Sequence, residues 1–306
     1  MNIKRAEEQY LDNLRFIYEN GIDLVNERTG QICRTVVSVD QTYDGTTNKA
    51  PLLTTRQLEK PWISISEFLG YIKGVTSAAD MRELGTRTWD GNANGTPAWL
   101  ANPNRLGVDH IGEIYGAVAK NWPMAPNLDG SYPALKPEIQ GKKPNSIDLF
   151  RKVYHNLKNG IDDRGEVVTF WNPGAFHLGS LRPCMYEHQF SLLGDDLYLN
   201  STQRSNDWPL GCTANMVQVW LFLRLMAQIT GKNPKYAYHR SINSHIYGNQ
   251  LEFVPGQLER QPLAEPTIDI NPEIKTLEDL ETWVTVKDFI ITYPEYHPPI
   301  KYPFSV

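Results

Sequence analysis

The chain has 306 residues, of which 41% are hydrophobic, and its formal net charge is −5. This composition supports a large buried core, and the acidic balance excludes a general nucleic-acid binder, which would carry a basic excess. The three cysteines, Cys33, Cys184 and Cys212, form no Cys-x-x-Cys pair, so neither a disulfide framework nor a metal site is predicted. No apolar run approaches the roughly 20 residues of a membrane span. We therefore expect a soluble cytoplasmic protein that does not bind DNA.

The first half of the chain alternates between patterned and irregular segments. Three-to-four spacing of apolar residues predicts helices over residues 3–20 and 61–73, and alternation with β-branching predicts a strand over 31–39, followed by a turn at Tyr43-Asp44-Gly45. Glu67 stands among the apolar positions of the second helix, so its carboxylate either lies at the helix edge or points into a cavity. Residues 89–144 are rich in Gly, Pro and Asn and are predicted to form loops, which at this length are often functional.

The second half carries the strongest signals of the fold. We predict a helix over 146–159, a strand over 166–171, and two strands over 185–193 and 196–203 about the Gly194-Asp195 turn. Residues 213–230 are apolar almost all round and predict a central buried helix that Gly231 ends. Shorter strands follow at 267–270 and 286–292. The expected architecture is one α/β (α+β) domain over 1–306, with a large mixed sheet around that central helix.

Polar residues between 181 and 247 interrupt these apolar segments and predict a site for a small anionic substrate. A lone cysteine is usually a small buried apolar residue, but arginines near Cys184 would favour its thiolate. The pair Arg204-Ser205 suits a phosphate, and the carboxamide of Asn215 either caps a helix or contacts the edge of a nucleobase. His245 and Tyr247 are two residues apart on a predicted strand, share a face, and suit one sugar hydroxyl.

The order of these motifs carries a resemblance. Pro-Cys, Gln-Arg-Ser-x-Asp, Leu-Gly-x-x-x-Asn and His-Ile-Tyr follow one another from residue 183 to 247, and earlier motifs keep the same order: Glu27-Arg28-Thr29-Gly30, Glu67-Phe68-Leu69, Thr88-Trp89-Asp90 and Ile114-Tyr115-Gly116. Over nearly its whole length the chain resembles the thymidylate synthase family, which includes pyrimidine nucleotide hydroxymethylases. The resemblance implies the thymidylate synthase-like fold, a homodimer, and one-carbon transfer from 5,10-methylenetetrahydrofolate to C5 of a pyrimidine nucleotide such as dUMP.

The resemblance also implies residue roles. Cys184 would be the nucleophile that adds to C6 of the base. The other implied catalytic residues are Glu67, Trp89, Tyr115 and Asn215. The implied nucleotide-binding residues are Arg28, Arg164, Gln203, Arg204, Ser205, Asp207, Asn215, His245 and Tyr247. The implied folate-binding residues are Trp89, Asp207 and Val306.

Several positions depart from the family pattern. Met185 follows the nucleophile where histidine is usual, Asn92 replaces a tryptophan, Gly165 replaces the second of two arginines, and Asn243 replaces an aspartate. Transfer of hydride gives a methyl product, whereas addition of water gives a hydroxymethyl product, and a wetter pocket favours water. From Met185 and Asn92 we interpret the chain as a divergent, phage-like dUMP hydroxymethylase. The alternatives are a true thymidylate synthase, a dCMP hydroxymethylase, and an inactive regulator that binds nucleotide or RNA.

Overall fold

The computed structural model describes residues 3–27 and 30–304. Their strands are β1 (Ile22–Val25), β2 (Ile32–Asp44), β3 (Trp122–Pro123), β4 (Ser146–Ile147), β5 (Val167–Thr169), β6 (Met185–Leu193), β7 (Asp196–Gln203), β8 (Asn206–Asp207), β9 (Asn233–Tyr247), β10 (Thr267–Ile270) and β11 (Phe289–Thr292). Their helices are α1 (Ala6–Asn20), α2 (Ile63–Lys73), α3 (Ala78–Glu83), α4 (Asp90–Asn94), α5 (Pro97–Leu100), α6 (Gly116–Ala119), α7 (Leu149–Lys158), α8 (Gly211–Thr230), α9 (Val254–Leu258) and α10 (Leu277–Glu281).

A large mixed sheet carries the fold, as predicted. Its strand order is β1-β2-β9-β7-β6-β5, and β8 pairs with β9 beyond the end of β7. The β7–β9 and β8–β9 pairs are parallel, and the other neighbours are antiparallel. Parallel neighbours need a long crossover, which α8 supplies between β8 and β9. The 15-residue strand β9 therefore holds the sheet together at its centre.

Helix α8 is the buried centre of the molecule, which confirms the prediction from its sequence. It packs on β7 and β9 on one side and on α2 and α7 on the other, so almost every side of it meets apolar residues. Gly231 ends the helix at a φ of 69°, the left-handed conformation in which glycine costs least. The helix begins at Gly211, so Asn215 lies in its second turn, and the interpretation of Asn215 as an N-cap is wrong.

Most predicted boundaries hold, and the exceptions have local causes. The strands predicted at 185–193 and 196–203 form with those bounds. The predicted turn at Tyr43-Asp44 is wrong because both residues pair with β9, opposite Ala237 and Tyr236. The helix predicted from 146 begins only at Leu149, because Ser146–Ile147 pairs with β3.

Strand β1, and β9 before its predicted end at His245 and Tyr247, went unrecognised in the sequence, as did the two-residue strands β3, β4 and β8. Two predicted strands are shorter than expected. Strand β1 has no alternation, since all four of its residues are exposed, and most of β9 mixes polar and apolar residues. Strand β5 covers only residues 167–169, and β11 begins at Phe289 after a 3₁₀ turn. In the part of the chain that the structure describes, no helix is long and apolar enough to cross a membrane.

Candidate active site

Cys184 lies in the turn that leads into β6, where it is partly buried. Its backbone N–H donates to Oη of Tyr115 over 3.0 Å. The guanidinium of Arg204 supports the same turn, because Nε donates to the carbonyl oxygen of Pro183 (2.9 Å) and Nη2 donates to that of Arg182 (3.1 Å). The side chain of Arg182 itself lies over the ring of Phe176. The guanidinium packed on the cysteine turn is therefore that of Arg204, not that of Arg182.

Tyr115 is held in an unusual backbone conformation beside this turn. Its φ of 43° is rare for a residue other than glycine and costs on the order of 1–3 kcal/mol. The next residue, Gly116, packs so closely on α2 that a Cβ atom there would overlap the carbonyl oxygen of Tyr71. The Tyr115 ring stacks on the Tyr71 ring at 4.4 Å and meets the Trp89 ring edge-on at 5.8 Å. Burial raises the pKa of Tyr115 well above its ordinary value, so its hydroxyl stays neutral.

Glu67 points inward from α2 toward Trp89, Thr88 and Gln218, so the helix-edge interpretation is wrong. Its Oε1 accepts from Trp89 Nε1 (3.0 Å) and from the Thr88 hydroxyl (3.1 Å), and its Oε2 accepts from Gln218 Nε2 (2.7 Å). Burial raises the pKa of the Glu67 carboxyl, and hydrogen bonds from Gln218, Thr88, Tyr71 and Trp89 oppose that rise. A carboxyl with these opposing influences is suited to proton transfer.

The Asn215 carboxamide is held from both sides. Its Oδ1 accepts from Gln203 Nε2 (2.9 Å), and its Nδ2 donates to Gln218 Oε1 (3.1 Å). A carboxamide has two acceptor positions and two N–H groups, so one acceptor and one donor remain side by side for a ligand. The complementary ligand edge carries an N–H group next to a carbonyl oxygen.

Strand β8 brings the predicted phosphate- and sugar-binding residues together. Its residues pair with Ser244 and His245 of β9, so Ser205, Asp207 and His245 lie at one end of the sheet. The His245 and Tyr247 rings are 5.1 Å apart and perpendicular, which agrees with the prediction that they share a face.

Asn243, one of the departures from the family pattern, has a structural role at this end of the sheet. Its φ is 47°, a left-handed conformation that asparagine tolerates better than most residues. From there its Nδ2 donates to the backbone oxygen of Arg204 over 3.3 Å. Asn243 thus supports the loop that carries Arg204 and Ser205.

Asp207 is a carboxylate whose own hydrogen bonds are weak. Gln250 Nε2 lies 3.3 and 3.4 Å from its two oxygens, and the backbone N–H of Leu210 donates over 3.3 Å. Burial raises the pKa of Asp207 to about 6, against opposition from those hydrogen bonds. Gln250 Nε2 also donates to the carbonyl oxygen of Pro303 over 3.1 Å, so the C-terminal segment lies close by.

Asp207→Asn is expected to stabilise the protein without ligands, with an effect that grows as the pH rises. The pKa of Asp207 is higher in the folded than in the unfolded state. The protonated Asp207 carboxyl therefore contributes to the free energy of unfolding at low pH, and this contribution is lost as the pH rises through about 6. Asparagine stays neutral throughout. Urea unfolding should give a gain of about 1–3 kcal/mol at about pH 8 and a smaller gain at about pH 5. Equal gains at both pH values would contradict the assigned shift.

Some predicted site residues lie elsewhere or outside the described residues. Arg164 is exposed in the turn before β5, where its backbone N–H donates to Asp162 and its backbone oxygen accepts from Gln189. Neither contact involves the Cys184 turn. Gly165 follows it in the same turn. The structure does not describe Arg28 or Val306, so nothing follows for their predicted roles.

The structure adds residues that the sequence analysis missed, notably Tyr71, Thr88, Gln218 and Gln250. Gln218 had a visible signal, because it is one of the few polar residues inside the mostly apolar helix α8, three positions after Asn215. Thr88 stands in the motif Thr88-Trp89-Asp90, and Tyr71 follows Glu67 by four positions on α2. Gln250 offered no such signal, and only the folded chain brings it to Asp207.

A thiol before β6, a carboxyl on α2 and a carboxamide on α8, linked by the contacts above, are typical of an enzyme with a small polar substrate. The family model for thymidylate synthase matches residues 8–306. The thymidylate synthase of Vibrio cholerae is 52% identical over 301 residues, which cover 98% of this chain and all of that protein. The thymidylate synthase of Actinobacillus succinogenes is 52% identical over 302 residues, which cover 97% of this chain and 99% of that protein. The thymidylate synthase of Haemophilus influenzae is 52% identical over 303 residues, which cover 98% of this chain and all of that protein. The chain belongs to the thymidylate synthase family.

Family membership confirms the predicted enzyme class and one-carbon donor. The chain is a one-carbon transferase, and its one-carbon donor is 5,10-methylenetetrahydrofolate. The interpretation as a divergent, phage-like hydroxymethylase finds no support, because these relatives are bacterial and are named thymidylate synthase.

Proposed function

We propose that the chain is a true thymidylate synthase, which converts dUMP to dTMP. The relatives at 52% identity carry that name, and they favour this alternative over hydroxymethylation. The observation that carries the proposal is the series of contacts that joins Cys184 to Glu67 through Tyr115 and Trp89, and Glu67 to Asn215 through Gln218. Cys184, Glu67 and Asn215 match a nucleophile, a proton carrier and a contact to a uracil edge.

The surroundings of Met185 also favour the methyl product. From its residue type alone, methionine at this position was expected to mark a wetter pocket. Met185 instead packs, 4% exposed, among aromatic rings around a cavity of only about 10 Å³ that Tyr71, Tyr115 and Gln218 help to line. Such a cavity holds a single water molecule at most. Methionine in this position makes the wall behind the nucleophile drier and so disfavours addition of water.

Uracil is the base that fits Asn215. Its free acceptor can take the N3–H group of uracil, and its free donor can bind O4. Cytosine presents an unprotonated N3 and an amino group, which would face the wrong partners. One mismatched buried polar group costs about 1–3 kcal/mol, enough for roughly tenfold to hundredfold discrimination. We infer that dUMP is preferred over dCMP.

The covalent step assigns a role to each of the other residues. The Cys184 sulfur forms a bond to C6 while the electron pair of the C5–C6 double bond moves toward C5 and O4. Asn215 stabilises the charge that develops at O4, and Glu67 moves protons at the base. Tyr115 holds the backbone of the nucleophile through its 3.0 Å hydrogen bond.

The folate would bind beside Asp207 and Trp89. When bound, 5,10-methylenetetrahydrofolate supplies the one-carbon unit and the hydride. The long hydrogen bonds of Asp207 leave its oxygens able to accept from N–H groups of a planar heterocycle, so the residues present fit this group. The pterin N–H groups would satisfy a carboxylate that is otherwise poorly satisfied in the protein.

We propose that Arg204 and Ser205 bind the 5′-phosphate, with Gln203 behind them, and that His245 and Tyr247 bind the sugar. Arg28 and Arg164 would complete the phosphate site, Arg164 from the partner subunit of a homodimer. Residues 1–306 would form one domain of that dimer. The exposed sheet face supports this, because a depression of about 360 Å³ lies on it, lined in part by Asp40, Asn200, Thr202, Tyr238 and Arg240.

The product of the reaction tests the proposed function. The protein is incubated with dUMP and 5,10-methylenetetrahydrofolate, and the nucleotide and folate are identified by mass spectrometry. We expect dTMP together with dihydrofolate. Hydroxymethyl-dUMP together with tetrahydrofolate would support the hydroxymethylase, and the absence of any product would support the inactive nucleotide- or RNA-binding regulator.

A further inference from the structure

A continuous line of side chains connects His239 to Glu67 through Asn215. Gln203 Oε1 lies 3.1 Å from His239 Nε2, and Gln203 Nε2 lies 2.9 Å from Asn215 Oδ1. On the other side, Asn215 Nδ2 lies 3.1 Å from Gln218 Oε1, and Gln218 Nε2 lies 2.7 Å from Glu67 Oε2. Each group in this line has its donor turned toward Glu67.

The orientation of Gln218 is fixed by groups that can only accept. An ionised carboxylate offers no donor, so Gln218 must turn its NH₂ group toward Glu67. The backbone oxygen of Ser64, 3.4 Å from the same nitrogen, demands the same orientation. The Gln218 oxygen therefore faces Asn215 and can bind only the Nδ2 side of that carboxamide.

The orientation of Gln203 is fixed in the same manner. Its Nε2 donates to the backbone oxygen of Ser205 over 3.0 Å, so its nitrogen faces Asn215 and its oxygen faces His239. His239 must then carry a proton on Nε2. Burial lowers the pKa of His239 to about 4, so the ring is neutral, and its Nδ1 lies 2.9 Å from the Tyr43 hydroxyl oxygen.

We propose that Gln218 is a specificity-determining positioning residue, which holds the Asn215 carboxamide in the orientation that suits uracil. The inference rests on the proposed role of Asn215 in binding the base. If the Asn215 amide turned over, it would present a donor to N3 and an acceptor to position 4 of the ring, which is the pattern that cytosine needs. Gln218 opposes this rotation because its oxygen would then face the Asn215 oxygen.

The first test compares nucleotide binding by wild type and Gln218→Met. Methionine has a similar volume but removes the amide that faces Asn215. Dissociation constants for dUMP and dCMP are measured by calorimetry on the full-length protein without folate. Wild type should bind dUMP more tightly, and the ratio of the two constants should fall on the order of tenfold in Gln218→Met.

A matched control is Gln228→Met on the same helix. The Gln228 amide donates to the backbone oxygens of Asn271 (3.0 Å) and Ile274 (2.8 Å), away from the site. This variant also loses two hydrogen bonds, so it should lower stability without changing the dUMP to dCMP ratio. A loss of preference in both variants would assign the effect to general destabilisation and would overturn the proposal.

A second variant, Gln218→Glu, keeps an oxygen facing Asn215 Nδ2, and one proton shared between its carboxyl and that of Glu67 replaces the amide donor, so the preference for dUMP should be retained. This variant replaces the first test if Gln218→Met does not fold. Loss of the preference for dUMP over dCMP in Gln218→Glu would then contradict the inference. An unchanged ratio in folded Gln218→Met would also overturn it. If wild type itself does not prefer dUMP, the proposed role of Asn215 fails instead, so the two failures are distinguishable.

Discussion

Cys184→Ser is expected to lose turnover of dUMP by at least about 10³-fold, because a neutral hydroxyl is a far weaker nucleophile than a thiolate. The local structure should persist, since Tyr115 and Arg204 hold the cysteine turn through backbone atoms and not through the thiol. Rates of dTMP formation under saturating dUMP and folate measure the effect. Calorimetry should show that the variant still binds dUMP.

Cys212→Ser is the matched control for this prediction. Cys212 is fully buried in α8, and burial raises its pKa far above that of an ordinary thiol, so it cannot supply a thiolate. The substitution should lower stability and leave the turnover number close to that of wild type. If Cys184→Ser kept turnover within tenfold of wild type, Cys184 would not be the nucleophile.

Glu67→Gln is expected to lower turnover by about 10²- to 10⁴-fold, the usual contribution of a positioned proton carrier. The amide oxygen can still accept from Trp89 and Thr88, but its nitrogen would meet the Gln218 NH₂ group at the present 2.7 Å contact. Two donors then face each other, so we expect some disturbance of Asn215 as well. Steady-state kinetics with dUMP should therefore show a large fall in kcat and a smaller rise in KM.

Thr88→Val tests whether the loss of turnover in Glu67→Gln comes from the carboxyl itself or from its hydrogen bonds. Valine has the shape of threonine but lacks the hydroxyl that donates to Glu67 over 3.1 Å. Since this removes one of several hydrogen bonds and keeps the carboxyl, turnover should fall less than tenfold. A loss as large as that of Glu67→Gln would assign the effect to the hydrogen-bond pattern and not to proton transfer.

The sequence predicted the elements whose pattern is strong along the chain. Helix α8 was recognised because most residues from Thr213 to Thr230 are apolar, on almost every side of the helix. Strands β6 and β7 were recognised because a tight turn separates two alternating runs. Strand β1 escaped because its residues are exposed on both faces, which removes the period-two signal. The end of β2 escaped because Tyr43 and Asp44 look like a turn until β9 pairs with them.

The residues of the candidate site were likewise predictable only where they stand in sequence motifs. Cys184, Glu67 and Asn215 were found in motifs with a fixed order, and in the structure they are linked through Tyr115, Trp89 and Gln218. Gln218, Tyr71 and Gln250 act by holding those residues, and this depends on side-chain directions that only the packed structure supplies. Met185 was interpreted wrongly for a related reason. Its effect on water was inferred from the residue type alone, without the aromatic rings that surround it in the structure.

Covalent capture of the nucleotide tests the central claim most directly. The protein is incubated with 5-fluoro-dUMP and 5,10-methylenetetrahydrofolate, digested, and analysed by mass spectrometry of the peptides. A fluorine at C5 cannot leave as a cation, so a thioether at C6 should persist. We expect one modified peptide, carrying nucleotide and folate on Cys184. Modification of Cys33 or Cys212, or an adduct that survives in Cys184→Ser, would contradict it.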